Sequence, residues 1–160
     1  MISIDTLDGS FNFRTVGVAI HNEQVLLHRA THDTWWSLPG GRVELHETSA
    51  DALVREMREE MGVDVVLQRL LWVHEQFYVD DISLRRNHSL GFYYLMKVPE
   101  SLLHPQISSF SSHEANDEEL VFQWHPIAEL ETLAMPLYPI MLRTGLRNLP
   151  ESVVHLVSTQ

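Results

Sequence analysis

GRVELHETSADALVREMREEMGV, at residues 41–63, is the stretch of the chain that most constrains its fold. If Thr48 to Met61 is helical, then Glu56, Glu59 and Glu60 fall at i, i+3 and i+4 and share one patch of the helix surface. Each repelling i,i+4 pair costs roughly a few tenths of a kcal/mol. A divalent cation would turn this repulsion into ligation, and hard cations such as Mg²⁺ and Mn²⁺ prefer such oxygen-rich settings. The segment therefore predicts a helix that binds a metal ion.

Signals at both ends bound this helix. Thr48 is a suitable N-cap, with Asp51 three residues later in a weak form of the capping box, and Gly62 stands where a left-handed C-cap residue belongs. Apolar residues recur at helical spacing beside the acids, at Ala50, Leu53, Val54, Met57 and Met61. One side of the helix should therefore pack on a core while the acids face a cleft or solvent. Just upstream, Leu38 to Gly41 forms a tight loop of the kind that lets backbone approach a ligand.

The spacing of the whole segment carries a resemblance to a known family. It reads Gly41, five residues, Glu47, seven residues, Arg55-Glu56, an apolar residue, any residue, Glu59-Glu60, any residue, Gly62 and an apolar Val63. This pattern resembles the Nudix box, and a chance match in a chain of this length is rarer than roughly one in a million from average residue usage. The resemblance implies an α/β (α+β) fold, a Nudix-type α/β/α sandwich with a mixed, curved β-sheet between helices. A single domain over residues 1–160 is expected.

The activity that the resemblance implies is hydrolysis of a diphosphate linkage joined to an organic group, typically a nucleoside. Glu56, Glu59 and Glu60 are the predicted ligands of Mg²⁺ or Mn²⁺ and, with Arg55, the predicted catalytic residues. Arg55 is expected to pair with a box glutamate such as Glu47 and fix the loop to the helix. The alternative for Arg55 is a plain i,i+4 partner of Glu59.

Further metal ligands and a general base are also predicted. Gly40 and Glu119 complete the predicted metal-binding residues. Glu56 is the favoured base, with Glu118 or Glu119 as the alternative, although a solvated acidic turn explains the latter two equally well.

Three residues are predicted to contact substrate: Arg14, at the start of a strand, Glu44 and Tyr78. A surface ion pair for Arg14 and core packing for Tyr78 are the alternatives. No proline follows the box where ADP-ribose-type substrates would favour one, and Tyr78 comes slightly early for a dinucleoside polyphosphate marker. A nucleoside di- or triphosphate, or a dinucleoside polyphosphate, is therefore expected above a nucleotide sugar. Of the two tryptophans in the loop at residues 31–36, the one next to the Leu-Pro-Gly-Gly turn is expected to pack the core, with a role in binding as the alternative.

The remaining pattern predicts a mixed α/β chain. The predicted strands are Phe11–His21 and Val25–Arg29, joined by a turn at Asn22-Glu23, then Arg42–Glu44, one or two strands within Val63–Tyr78, His88–Val98, Asp117–Pro126 and Val153–Val157. A short helix is expected after Pro126, a second major helix over Pro136–Leu149, a polar loop over Asp80–Asn87 and an irregular segment over Pro99–Asn116.

Composition limits the partners. The net charge of −11, from 22 acids and 11 bases, disfavours nucleic-acid polymers and anionic membranes, whereas metal ions can bridge the protein to a small phosphorylated substrate, expected to be a nucleotide. The absence of cysteine excludes disulfides and thiolate metal sites. The ten histidines show no paired metal-site spacing.

With no apolar run long enough for a membrane span, a cytoplasmic protein is expected, with a homodimer as a mild expectation. The alternative class is a non-catalytic Nudix-fold module that senses a nucleotide or docks a partner.

Overall fold

The structure, a computed structural model, describes residues 2–80, 84–103, 109–113 and 119–159. Its strands are β1 (Ser3–Asp5), β2 (Gly9–His21), β3 (Gln24–Ala30), β4 (Gly40–Arg42), β5 (Val66–Val79), β6 (Arg86–Lys97), β7 (Ser109–His113), β8 (Glu119–Pro126) and β9 (Val154–Thr159). The helices are α1 (Ser49–Met61) and α2 (Leu142–Gly145), and two 3₁₀ turns cover Glu100–Leu102 and Ile127–Glu129. None of the helices in these ranges has the length and apolarity needed to cross a membrane.

The sheet is mixed, as the resemblance predicted. Its order is β7-β8-β3-β2-β6-β5-β9, and β1 and β4 also pair with β2. The pairs β2–β6 and β5–β9 are parallel, and the other pairs are antiparallel. The sheet is curved and unclosed, which confirms a mixed α+β fold.

A wedge opens between β2 and β3 beyond their shared hairpin. The two strands pair only at Ile20–Val25 and His21–Gln24. Farther from the turn, the segment at residues 37–42 fills the wedge: Ser37 bridges to β3 at His28, and β4 pairs with β2. The wedge therefore brings the tight loop, β2 and β3 together in one place.

The predicted hairpin turn is confirmed at Asn22-Glu23. Both residues have positive φ, 48° for Asn22 and 61° for Glu23, which is the backbone that a two-residue hairpin turn with the sheet's twist requires. Asn tolerates this region because its short polar side chain can hydrogen-bond locally.

The two faces of the sheet bury two separate cores. On one face, Leu53 and Met57 of α1 are fully buried against a set that includes Ala19, Leu26 and Phe122. On the other face, Val16 and Val18 of β2 pack with residues of the C-terminal segment, among them Leu130, Leu137, Leu142 and Leu146. The alternation of β2 side chains between the faces follows from the two-residue period of a strand.

The second major helix predicted over Pro136–Leu149 is wrong, because only Leu142–Gly145 is α-helical. Residues 136–138 are extended and paired with Trp36, whose N–H donates to the Pro136 carbonyl (2.8 Å) and whose carbonyl accepts from Tyr138 N–H (2.9 Å). Pro139 lacks an N–H and disfavours helical backbone at the residue before it. Tertiary pairing and proline chemistry together override the apolar spacing.

Two further predictions need correction. β7 lies inside Pro99–Asn116, which was expected to be irregular; it pairs with β8 through a register that includes Phe110–Phe122. β4 occupies Gly40–Arg42 instead of Arg42–Glu44, because its pairing with Arg14–Val16 of β2 fixes which residues are strand. The edge strand β1 had no sequence signal.

Candidate active site

Caps hold α1 at both ends as predicted. The Thr48 hydroxyl accepts from Asp51 N–H (3.1 Å) and donates to the Asp51 carboxylate (2.7 Å). Gly62 has φ 68°, and its N–H donates to the Arg58 carbonyl (2.9 Å). These contacts satisfy backbone groups that a helix end leaves open, so the acids of α1 project from a fixed scaffold.

Glu56 lies directly against β4. A Cβ placed on Gly41 would be 2.1 Å from the Glu56 Cδ and 2.3 Å from each carboxylate oxygen, so no other residue type fits at position 41 without moving the acid. Gly41 pairs with Thr15 of β2, and the Thr15 hydroxyl donates to the Ser49 carbonyl at the start of α1 (2.7 Å). The helix and the strand are therefore locked together where the acid meets the backbone.

Arg55 connects three glutamates. Its Nη2 and Nε donate to the two carboxylate oxygens of Glu47 at 2.7 and 3.2 Å, and its Nη2 also donates to the Arg42 carbonyl (3.0 Å). Its Nη1 donates to Glu56 and to Glu59, both at 2.9 Å. The predicted pairing of Arg55 with Glu47 is confirmed, and the alternative i,i+4 contact with Glu59 occurs as well.

The charges in this network shift one another's pKa. The hydrogen bond from Arg55 lowers the pKa of Glu47, and the Glu47 and Glu56 carboxylates raise the pKa of Arg55. Burial raises the pKa of Glu56, an effect that the Arg55 hydrogen bond and the charge of Arg14 oppose. Of these two glutamates, Glu56 therefore binds a proton more readily than Glu47.

Glu60 points to a different neighbour. It is 2% exposed, and its Oε2 lies 3.7 Å from Nδ1 of His28 on β3. Burial, with the nearby charge of Arg14, lowers the pKa of His28 to about 3, so at neutral pH the imidazole is uncharged and the contact is not an ion pair. Sequence reasoning missed His28, because the only signal was strand alternation, which places it on the α1 side with Leu26.

The donor chemistry of these acids fits a divalent cation. One cationic group, the Arg55 Nη1, already bridges Glu56 and Glu59, so their oxygens lie within reach of a shared positive charge. Carboxylate oxygens are the ligands that Mg²⁺ and Mn²⁺ prefer. Across residues 2–80, 84–103, 109–113 and 119–159, no three acidic, histidine or cysteine side chains already converge on one metal position. A metal would therefore need Glu56, Glu59 and Glu60 to adjust.

The other predicted ligands and bases lie at different places. Gly40 is next to the Glu56–Gly41 contact and pairs with Val16. Glu119 begins β8 with an exposed side chain, and its carbonyl accepts from Thr31 N–H (3.1 Å). Glu118 lies outside the described residues. The roles predicted for Gly40 and Glu119 stay predictions.

A cavity of about 600 Å³ lies on the other face of β2 and brings together two of the predicted substrate residues, Arg14 and Tyr78. Trp35 and Tyr138 also line it. Glu44 is not among its walls; it is exposed, and its N–H donates to Glu47 Oε1 (2.6 Å). The Arg14 charge makes a minor contribution to the pKa of Glu56, and none of Glu56, Glu59 and Glu60 lines the cavity.

The family follows from the sequence profile of the NUDIX domain, which matches residues 12–144. The chain belongs to the Nudix hydrolase family. This Nudix hydrolase is 26% identical over 141 residues to the RNA pyrophosphohydrolase of Ruthia magnifica subsp. Calyptogena magnifica, an alignment that covers 80% of this chain and 78% of that protein.

A second relative shares a shorter region with this Nudix hydrolase. YjhB of Bacillus subtilis (strain 168), whose name assigns it provisionally to the ADP-ribose pyrophosphatases, is 44% identical over 57 residues, or 36% of this chain. The chain aligns with only 27% of the length of YjhB. Among solved structures, that of a UDP-X diphosphatase has the same fold, with a TM-score of 0.62 and 19% identity over 91% of this chain and 66% of that chain.

Proposed function

We propose that this Nudix hydrolase cleaves a diphosphate linkage in a nucleoside diphosphate derivative and depends on Mg²⁺ or Mn²⁺. The observation that carries the proposal is the Arg55 network, which gathers Glu47, Glu56 and Glu59 at the backbone of Gly41. A cavity on the other face of β2 has Arg14 on its wall, and the Arg14 charge makes a minor contribution to the pKa of Glu56. Acids suited to a metal ion and a guanidinium suited to a phosphate both support this proposal.

The metal would be held by Glu56, Glu59 and Glu60, with Gly40 and Glu119 as further ligands. When bound, such a cation screens phosphate charge and makes a coordinated water more acidic. Arg55 keeps Glu56 in place while holding the loop through Glu47. Arg14 is positioned to bind phosphate oxygens from the cavity wall.

The chemical step uses a proton acceptor from the chain. The oxygen of a water forms a bond to phosphorus, the bond from that phosphorus to the bridging oxygen breaks, and two phosphate-bearing products leave. A Glu56 carboxylate oxygen accepts the proton of the water, a role favoured by the burial that raises its pKa. The alternative base is Glu119 or Glu118; the exposed side chain of Glu119 favours Glu56.

The proposed substrate is a nucleoside di- or triphosphate or a dinucleoside polyphosphate. The names of the relatives add ADP-ribose, RNA and UDP-linked compounds as candidates. The net charge of −11 favours a small nucleotide over an RNA chain, because a strongly acidic protein repels a polyanionic backbone.

One observation favours a second function, a nucleotide-sensing module without turnover. Arg55 forms ion pairs with both Glu56 and Glu59, so its guanidinium holds these two acids together without requiring a metal. In that case the cavity would bind a nucleotide, and the box residues would have only a structural role.

A product assay separates the two functions. Nucleoside triphosphates, dinucleoside polyphosphates and nucleotide sugars would be incubated with Mg²⁺, with Mn²⁺ or with EDTA, using wild type, Glu59→Gln, Glu60→Gln and the exposed control Glu151→Gln. We expect metal-dependent turnover that falls by about 100-fold or more in the two box variants and is kept in the control. Equal turnover in EDTA, or full activity of both box variants, would overturn the proposal. Nucleotide binding without turnover would favour the sensing module.

A further inference from the structure

The two tryptophans at residues 35 and 36 have opposite environments. Trp36 is 3% exposed and packs on His125, with ring centroids 4.7 Å apart, as core packing predicts. Trp35 is 40% exposed and lines the cavity that contains Arg14. A large aromatic side chain that the core does not use, facing a ligand-sized cavity, is available to contact a ligand.

Trp35 meets a second exposed aromatic ring on the same wall. Its ring and that of Tyr138, which is 37% exposed, are 6.5 Å apart and nearly perpendicular at 78°. The backbones behind them are joined by the two hydrogen bonds between Trp36 and the segment at residues 136–138. We call Trp35 and Tyr138 together the aromatic corner.

A cation fixes the corner from one side. The Arg143 guanidinium lies 5.2 Å from the ring centroid of Tyr138, and its Nε donates to the Leu137 carbonyl (2.9 Å). A guanidinium over an aromatic face is an attractive contact that restrains the ring. The corner is therefore preorganised, which reduces the entropy lost when a ligand binds.

We propose that the aromatic corner stacks a nucleobase while Arg14 binds the phosphates, which limits the substrate to compounds with an aromatic base. This rests on the proposed function for the phosphate half of the site. The cavity volume, about 600 Å³, lies in the range of roughly 300–1,000 Å³ that small-molecule sites have. The cavity is lined both by two aromatic rings in contact with each other and by a guanidinium, groups that match the apolar and anionic ends of a nucleotide.

The choice of a base over a sugar or an alkyl chain follows from ring chemistry. Every base has a flat π-face, and stacking on an aromatic side chain is favourable without regard to base identity. The corner is therefore expected to distinguish nucleotides from phosphate compounds without a base and to discriminate weakly among bases.

Equilibrium binding separates this inference from catalysis. Calorimetry with Mg²⁺ would compare α,β-methylene-ADP with methylenediphosphonate, which share an uncleavable phosphorus bridge and differ in the nucleoside. The variants are Trp35→Leu, Trp35→Phe and Phe77→Leu. Phe77 is a matched control, because it is 36% exposed but does not line this cavity.

We expect wild type to bind the nucleotide analogue more tightly than methylenediphosphonate. Trp35→Leu should weaken only the nucleotide analogue, by about 5- to 150-fold, the range found when a base-stacking aromatic is removed. Trp35→Phe should retain most of the preference, and Phe77→Leu should match wild type. Equal affinities of wild type for the two ligands, or an unchanged preference in Trp35→Leu, would overturn the inference. Failure of the proposed function would instead appear as absent turnover with this binding preference intact.

Discussion

The Arg55 guanidinium donates two hydrogen bonds, of 2.7 and 3.2 Å, to the two carboxylate oxygens of Glu47, eight residues earlier in the chain. The side chains are 26% and 18% exposed, so solvent screens the pair only in part. The contact joins the loop after β4 to the middle of α1. The contact thereby fixes the position of the α1 acids relative to this loop.

Replacing Arg55 with Lys should lower the free energy of unfolding by about 1–3 kcal/mol. An ammonium group cannot form the bidentate hydrogen bond, so partly buried carboxylate oxygens of Glu47 would be left unsatisfied. Urea unfolding at neutral pH measures this. The control is Arg58→Lys, whose partner Asp64 forms a pair with side chains 63% and 76% exposed, and we expect less than about 1 kcal/mol there. Equal losses in the two variants would contradict the prediction.

Gly41→Ala should impair activity more than stability. The added Cβ would lie 2.1 Å from the Glu56 Cδ, so the acid must move, and a displacement of about 1 Å at a catalytic group can cost roughly 100-fold in rate. Steady-state kinetics would show the loss in kcat. Gly62→Ala serves as comparison: it has open space but φ 68°, so it should lower stability by about 1 kcal/mol and keep kcat. A normal kcat in Gly41→Ala would refute the placement of Glu56.

His28 should make the protein less stable in acid. Its pKa is lowered from 6.5 in the unfolded chain to about 3 in the folded protein, so between these values the unfolded state binds the extra proton. Stability is therefore full above pH 6.5 and falls as the pH drops toward 3, by at most about 1.4 kcal/mol per pH unit from this residue.

Denaturant unfolding of wild type and His28→Gln between pH 7 and 4 tests this dependence. The variant should show a shallower decline even if it is less stable at pH 7. Some decline should persist, because burial also lowers the pKa of His74 and His125. Parallel curves for the two proteins would show that His28 is not the neutral buried group described.

Arg14→Ala should lower kcat/KM by about 10- to 150-fold, since a hydrogen bond to a charged phosphate oxygen is worth about 1.5–3 kcal/mol. The side chain lines the cavity, and its charge also acts on Glu56, so both KM and kcat should change. Arg58→Ala, on the exposed side of α1, controls for the loss of one positive charge. Identical kinetics of the two variants would show that Arg14 does not take part in substrate binding.

Added Mg²⁺ or Mn²⁺ should raise the melting temperature if the box acids bind metal. A ligand at 100 times its Kd stabilises the folded state by about 2.7 kcal/mol. Differential scanning calorimetry with metal and with EDTA would measure the shift in wild type, Glu60→Gln and Glu151→Gln. Only Glu60→Gln should lose the metal response, and a response common to all three would indicate binding elsewhere.

Local chemistry made α1 and the hairpin predictable from sequence. The caps of α1 make their contacts within five residues along the chain, and the Asn22-Glu23 turn depends on two adjacent backbone conformations. Interactions of this range are encoded in neighbouring residues, so reading them needs no knowledge of the fold. The same holds for the acids at i, i+3 and i+4.

Long-range pairing decided what the sequence left open. The segment at residues 136–138 has apolar spacing that suggests a helix, yet two hydrogen bonds to Trp36, a hundred residues earlier, hold it extended. The same pairing places Tyr138 beside Trp35, and the β3 register places His28 beside Glu60. None of these partners is a sequence neighbour.

By itself, then, the sequence determined the box, its helix and the family chemistry, because those signals are local and fixed in spacing. Only the tertiary structure decided that Glu60 turns to His28 while Glu56 and Glu59 share Arg55. It also decided that an aromatic corner faces the cavity of Arg14. The physical reason is that burial and hydrogen bonds between distant segments select one partner for each side chain, and a linear pattern does not specify that choice.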